Sequence, residues 1–235
     1  MTGTLTNSLP LSIIIPVLNE IEQLPHFFEH LTRISQQQNE VIVVDGGSTD
    51  GSWEWLQNWK GGKVFRSKKG RACQMNVGAQ HAQADLLYFV HIDSRLPEDF
   101  EASISNARRR GFDAGCFQLR FETSHWLLDS AAAGSRWNHL LCRGGDQSLF
   151  VRRTLFEKLS GFDERYTICE DIHFIRQLYR HGKFAVMSGK ITTSARRFHE
   201  NGILRLLIHF GILHFSHWWG AGPDFLSAYY QRMVR

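Results

Sequence analysis

The stretch VIVVDGGSTDGS, residues 41–52, decides the fold. Four β-branched or apolar residues lead straight into an acidic turn almost bare of side chains. A short run that is apolar on both faces reads as a buried strand. Glycine in the turn lets the backbone approach a ligand closely. Upstream, LSIIIPV (11–17) reads as a second buried strand ending on a valine that follows a proline. Ile21, Leu24, Phe27, Phe28, Leu31 and Ile34 then recur at helical spacing, with Asn19 and Glu22 as a candidate capping box. Downstream, a tryptophan-rich helix is expected over 52–59, a strand over 63–66, a helix over 71–83 and a strand over 86–93. The first 93 residues thus read β-α-β-α-β-α-β. That alternation means a mostly parallel sheet of the Rossmann-like α/β class, flanked by helices. Ligands bind beyond the carboxyl ends of such strands, which is where the 45–52 turn falls.

The remainder is less regular. Strands are expected over 113–122 and 183–186, a helix over 126–141, a turn and strand over 144–153, and a helix over 170–182. The organisation expected is one domain over 10–200 and a C-terminal helical extension, 201–235, of the same domain. The chain has 235 residues, 43% hydrophobic and 21% charged, which excludes a disordered chain. Its formal net charge is +4. The basic clusters Lys68-Lys69-Gly70-Arg71, Arg108-Arg109-Arg110, Arg152-Arg153 and Arg196-Arg197 are scattered among carboxylates, so a nucleic-acid-binding module is not expected. Four cysteines without a CxxC spacing read as reduced thiols in a cytoplasmic protein. The first ten residues lack a basic segment and an apolar segment, so no signal peptide is read there. Residues 203–219 are the most apolar, but Arg205, His209, His214 and His217 interrupt them, so a membrane-spanning helix is not expected. A pair of helices closing the domain, a homodimer contact and peripheral contact with the inner face of a membrane all stay open.

Three chemistries could use the 45–52 turn. An EF-hand loop fails, because Gly47 stands third and Asp50 sixth. No GxGxxG or GxxxxGK[ST] occurs, so the dinucleotide and P-loop fingerprints fail as well. A nucleotide-sugar site remains, and other segments favour it. His91 and Asp93 stand two apart at the expected end of the fourth strand, as hard-metal ligands often do. KKGRACQMNVGA (68–79) is a basic loop entering a helix, which suits phosphate. Glu170 and Asp171 open a helix with paired carboxylates, and Asp171 could serve as a general base. Asp50 reads as a helix N-cap, and Trp53, Trp55 and Trp59 as packing residues.

IIIPVLNE, VIVVDGGSTDGS, GRACQMNVGA, FVHIDSRLP, GGDQSLFVRR, GFDE and EDIHF together resemble glycosyltransferase family 2, with its GT-A fold, over residues 10–200. The GGSTDG turn, the HxD and the short tail look most like a small bacterial subgroup associated with arsenosugar biosynthesis or radical-SAM/selenodomain proteins. The resemblance implies that Pro16, Val17, Asn19 and Glu20 edge a nucleotide pocket. It puts Asp45, Gly46, Gly47 and Ser48 beside the base and ribose, and Arg71 and Asn76 near the nucleotide. Asp93 matches the second carboxylate of the metal-binding DxD, with His91 in place of the first. His199 lies where relatives supply a late metal or diphosphate ligand. Asp171 matches the catalytic aspartate, with Asp146 and Glu170 on the acceptor side. The cofactor implied is a divalent cation, Mn²⁺ or Mg²⁺.

The implied reaction is inverting, non-processive transfer of one sugar from a nucleoside-diphosphate sugar to an acceptor hydroxyl. The processive QxxRW is missing after Asp171. The family usually has DDxSxD where this chain has Asp45-Gly46-Gly47-Ser48-Thr49-Asp50, so the base, UDP or GDP, stays open. The acceptor, a small molecule or a lipid-linked one, stays open too. Two rivals remain: a nucleotidyltransferase making a nucleotide sugar, and a non-catalytic sugar-nucleotide binder.

Overall fold

The chain folds around one mixed eight-stranded sheet, in a computed structural model that describes residues 8–36 and 38–234. The strands are β1 (Leu11–Val17), β2 (Glu40–Asp45), β3 (Lys63–Arg66), β4 (Leu86–Phe89), β5 (Ser94–Arg95), β6 (Ala114–Phe121), β7 (Leu149–Arg152) and β8 (Phe184–Thr193). The helices are α1 (Leu24–Ile34), α2 (Ser52–Asn58), α3 (Arg71–His81), α4 (Phe100–Arg109), α5 (Trp126–Gly134), α6 (Arg153–Lys158), α7 (Glu170–His181), α8 (Arg196–Asn201), α9 (Ile203–Trp219) and α10 (Pro223–Met233). Single 3₁₀ turns occupy Leu140–Cys142 and Gly145–Gln147.

Strands lie in the order β3-β2-β1-β4-β7-β6-β8-β5. The first four pair in parallel, as the alternation of strand and helix requires. β7 then enters antiparallel between β4 and β6, while β6 and β8 pair in parallel. The parallel half has its core on both faces. Ile13, Ile15, Val43 and Tyr88 pack with Leu24, Phe27 and Phe28 of α1 on one side. Ile14, Ile42, Val44 and Phe89 pack with Ala72, Met75 and Ala79 of α3 on the other. Period-two alternation along a strand sends neighbours to opposite faces, which is why the runs are continuously apolar. Gly78 admits this approach, because a Cβ there would stand 2.4 Å from the Ile14 side chain. Trp55 and Trp59 pack on Phe28 rather than facing a ligand.

Several expectations need correction. α1 begins at Leu24 with Gln23 as N-cap and no side-chain cap, so Asn19 and Glu22 form no capping box. Proline near the start sets that boundary, since its missing N–H costs nothing in the first turn. β4 ends at Phe89, and residues 91–94 turn back with Ser94 N–H donating to His91 O at 3.2 Å. His91 and Asp93 therefore sit in a turn, not at a strand end. β8 runs to Thr193, well beyond the expected 186. α5, α8, α9 and α10 share a third core around Leu128, Phe198, Leu206, Leu213 and Leu226.

Candidate active site

The turn after β2 is welded to the loop after β1. Asn19 N–H donates to Ser48 Oγ, Thr49 N–H to Asn19 Oδ1, Glu20 N–H to Ser52 Oγ and Ile21 N–H to Asp50 Oδ2, at 2.8–3.0 Å. Asn19 accepts a positive φ of 56° to do so, a conformation asparagine tolerates better than most residues. The two serine hydroxyls and the second aspartate of the quoted stretch thus satisfy backbone groups of the facing loop, which has no ladder. Asp50 also accepts from Ser52 N–H, while Gly51 in the left-handed region holds the N-cap position itself.

Asp45 is fully buried and turned inward. Its carboxylate accepts from Gly47 N–H and Ser48 N–H and pairs with Arg66 at 3.4 Å. Arg66 in turn lies over the Trp53 ring. Asp45 is therefore the internal brace of the turn. Gly47, exposed with φ 92°, is the open part of it. Pro16 and Val17 are buried, and the Val17 carbonyl accepts from Gly46 N–H and the Gln74 amide. Gly46 has a physical reason to be glycine here. A Cβ there would meet the Gln74 side-chain amide at 2.9–3.0 Å. Gln74, 2% exposed, donates to Val17 O and Val44 O and fills that place.

Beyond these turns the structure gathers carboxylates around one guanidinium. Arg71 is the first residue of α3, next to its free N–H groups. Its side chain is exposed to water, yet enough protein lies around it to strip part of its hydration. That desolvation opposes its charge, but Glu170, Asp146, Asp171 and Asp93 outweigh it and raise its pKa. Glu170 is buried at the start of α7; burial first, then Asp171, push its carboxyl well up. Desolvation and Asp93 likewise raise Asp146, with Asp171 adding to the effect. Glu20, half-buried, is raised by desolvation and then by Asp93. Burial and then Arg71 hold His91 well below the usual imidazole value, so it is neutral.

Asp171 has a defined seat. Its Oδ1 accepts from Ile172 N–H at 2.8 Å. Its Oδ2 lies so near Gly145 that a Cβ on that residue would be 1.7 Å away. The loop carrying Gly145 and Asp146 is held from below by Arg143, only 1% exposed. Its guanidinium donates to Ser135 O, Trp137 O and His139 O and to the Cys116 sulfur. Gln147 continues the network, donating to Cys142 O while accepting from the Cys116 thiol.

Asp93, Asp146, Glu170 and Asp171 are thus brought together, with Glu20 and Arg71. Asn76 is not among them: its amide is spent on Phe162 O, Phe162 N–H and Glu164. His199 is exposed on α8 with Nε2 3.3 Å from Thr123 Oγ1. Among the described residues no three His, Cys, Asp or Glu side chains form a metal cage, so Asp93, His91 and His199 are not assembled as one. Asp93 alone fits a cation. Its Oδ1 is buried with no hydrogen-bond partner, an orphan oxygen that a divalent cation shared with ligand oxygens would satisfy. A cavity of about 340 Å³ opens beside it, lined by His26, His30, Arg33, Arg95 and Glu122 among others.

Three contributors escaped sequence reasoning. Arg196 works to lower the pKa of Glu20 and Arg197 that of Asp146, both acting through space from α8, while the Arg197 guanidinium itself rests on Tyr230 and Phe210. His214 of α9 faces Asp171, with burial lowering its pKa and the aspartate opposing that. A doubled arginine at a helix start was the available signal for the first two. Nothing local marks His214.

Residues 12–152 match the family described as Glycosyl transferase family 2. The undecaprenyl-phosphate 4-deoxy-4-formamido-L-arabinose transferase of Aeromonas hydrophila is 28% identical over 131 residues, 52% of this chain and 40% of that protein. The aligned stretch therefore spans well under half of that relative. Among solved structures, the mannosyltransferase PcManGT from Pyrobaculum calidifontis, in complex with GDP-Man and Mn²⁺, superposes with a TM-score of 0.68 at 18% identity, over 96% of this chain and 70% of that one. S. aureus TarS 1-349 in complex with UDP superposes with a TM-score of 0.64 at 19% identity, over 87% of this chain and 66% of that one. The mixed, parallel-dominated sheet with its flanking helices is the GT-A fold of these neighbours.

Proposed function

The chain belongs to glycosyl transferase family 2, and from that premise we propose that it is a glycosyltransferase moving one sugar from a nucleoside-diphosphate sugar to an acceptor hydroxyl. The observation that carries the reading is that Asp93, Asp146, Glu170 and Asp171 all lie within electrostatic reach of Arg71 at the start of α3. Glycosyltransferase chemistry needs a base for the incoming hydroxyl and positive charge for the leaving diphosphate, close together. Both are at hand here.

Asp171 is the general base in this proposal. Its Oδ1 is fixed by the Ile172 amide, and Gly145 leaves its Oδ2 room. It takes the acceptor proton as the hydroxyl attacks the anomeric carbon. One direct displacement breaks the bond to the diphosphate and inverts that centre. Arg71 and the first amides of α3 receive the diphosphate charge, with Arg196 and Arg197 nearby. Burial and neighbouring carboxylates raise Glu170 more than Asp146, so Glu170 is the one that can hold a proton and hydrogen-bond an acceptor hydroxyl as a donor, with Asp146 close by as an acceptor. Asn19, Gly47 and Glu20 edge the nucleotide side, and Ser48 and Asp45 hold the turn they stand on. Asp93 would hold a divalent cation, Mn²⁺ or Mg²⁺, with neutral His91 beside it in the same turn. Such an ion supplies charge against the leaving diphosphate.

The donor class is supported by the ligands of solved neighbours, GDP-Man with Mn²⁺ in one and UDP in another. Placement in the small bacterial subgroup, a cytoplasmic location and a single domain over 10–200 extended by 201–235 belong to the same proposal. The test is release of nucleoside diphosphate from a panel of UDP- and GDP-sugars with Mn²⁺, comparing the native chain with Asp171→Asn. Pyrophosphate release would turn the reading to a nucleotidyltransferase. Ligand binding with no turnover of any donor would turn it to a non-catalytic binder.

A further inference from the structure

Exposed large apolar side chains are not scattered over this molecule. Among the described residues eight of the eleven lie between 204 and 233, on α9 and α10, and the other three between 126 and 141. Isolated exposed leucines need no explanation, but a contiguous patch does. α9 carries its centre. At 100° per residue, Leu204, Ile208, Ile212, Phe215 and Trp219 fall within an arc of about 80°. They are 40–77% exposed. Leu206, Leu213 and His217, the buried residues of α9, project to the opposite side. The helix is thus apolar on the face that packs and apolar again on the face that does not. At its C-terminal end Phe215, Trp219 and Phe225 border an open hollow of about 700 Å³. Trp218 clusters with Phe215 and Trp219.

We propose that this outward face of α9, with its tryptophan end, seats the protein on an anionic lipid bilayer. Charge selects the occupant. Leaving Arg196 and Arg197 to the site, residues 203–235 hold three arginines and one carboxylate, a net two of the four positive charges of the whole chain. α9 itself has no Asp or Glu. A helix with an apolar stripe, tryptophans at its end and basic residues around it lies in the plane of a lipid interface, where anionic headgroups attract nearby arginine. Among the described residues no helix is long and apolar enough to cross a membrane, so the contact is with one face of the bilayer. A lipid face also suits indole rings better than a dry protein interface does, because the N–H stays among headgroups. The inference does not rest on the sugar-transfer reading.

The test is flotation of the full chain with vesicles of phosphatidylglycerol and phosphatidylethanolamine, against vesicles of phosphatidylcholine alone. The native chain should rise with the anionic vesicles, less with the neutral ones, and less in high salt. Ile208→Glu with Phe215→Glu should cut the bound fraction at least about tenfold, because two apolar side chains no longer leave water. Both sites are exposed, so thermal melting should be unchanged. Trp219→Ala, at the helix end, should show a smaller loss. No flotation of the native chain overturns the proposal, and so does equal flotation of the doubly substituted chain. A dimer in sedimentation velocity that the double substitution splits, with vesicles ignored, overturns it in favour of a second copy.

Discussion

Gly145→Ala is the sharpest perturbation of the proposed base. The added Cβ would stand 1.7 Å from Asp171 Oδ2 and 2.9 Å from its Cγ. The carboxylate must retreat by about 1.5 Å or more to reach an ordinary contact. The backbone at 145 is not in the left-handed region, so alanine adds no strain there. The side chain of Asp171 can turn, which keeps the cost to folding within about 1 kcal/mol. A displacement of that size in a group that must meet a hydroxyl costs turnover on the order of 10²-fold. Gly144→Ala is the matched control, since a Cβ there has nothing within 4 Å and the backbone is extended. The assay is nucleoside diphosphate release at saturating donor, with melting temperature recorded for both variants. Expected are a large loss of turnover for position 145, none for 144, and similar melting for both. Equal turnover in the two variants would refute the assignment of Asp171 as the base seated by Gly145.

Four further outcomes are expected. Asp171→Asn should lower turnover at least ~10²-fold while a thermal-shift titration with nucleoside diphosphate stays close to native. Asp93→Ala should abolish the extra thermal stabilisation that Mn²⁺ gives in the presence of nucleoside diphosphate, and retention of that increment would remove Asp93 as the cation's holder. Elevated pKa values for Glu170 and Asp146 mean that the folded chain binds protons the unfolded chain has already released. Their contribution to stability is then full below the ordinary carboxylate range and lost as pH rises through the elevated values. Melting curves from about pH 4 to about pH 8 should show that decline, and Glu170→Gln should flatten it. Gly46→Asp should destabilise by ~1–3 kcal/mol through collision with Gln74; adding Gln74→Ala should recover part of the loss in urea unfolding.

The parallel half of the sheet was legible because its signal is local. Four apolar runs broken by turns leave few alternatives, and β1 to β3 fall within a residue or so of where the sequence puts them. The second half was harder. β7 is only four residues long and antiparallel, and α4 carries a polar face that hides its apolar periodicity. β5 has two residues and no propensity to read. At the site, Arg71, Asp93, Asp146, Glu170 and Asp171 could be named from motif order, but not the distance between them. The partners of each side chain were not legible either. Asp45, a conspicuous carboxylate at a strand end, is spent on its own turn and on Arg66. Asn76 is spent on the 162–164 loop in the same way. Arg196, Arg197 and His214 enter only through the packing of α8 and α9, a tertiary relation no short motif encodes.

The guanidinium of Arg143 limits how this chain can drift. A planar fork that reaches three carbonyls and a sulfur at once tolerates no change in the spacing of residues 135–143. An insertion there would pull one acceptor away and strand a cation in the interior. Lysine offers a single point of charge and could not span the same partners. Segment length in this part of the molecule is therefore frozen by a residue that the proposed reaction does not use.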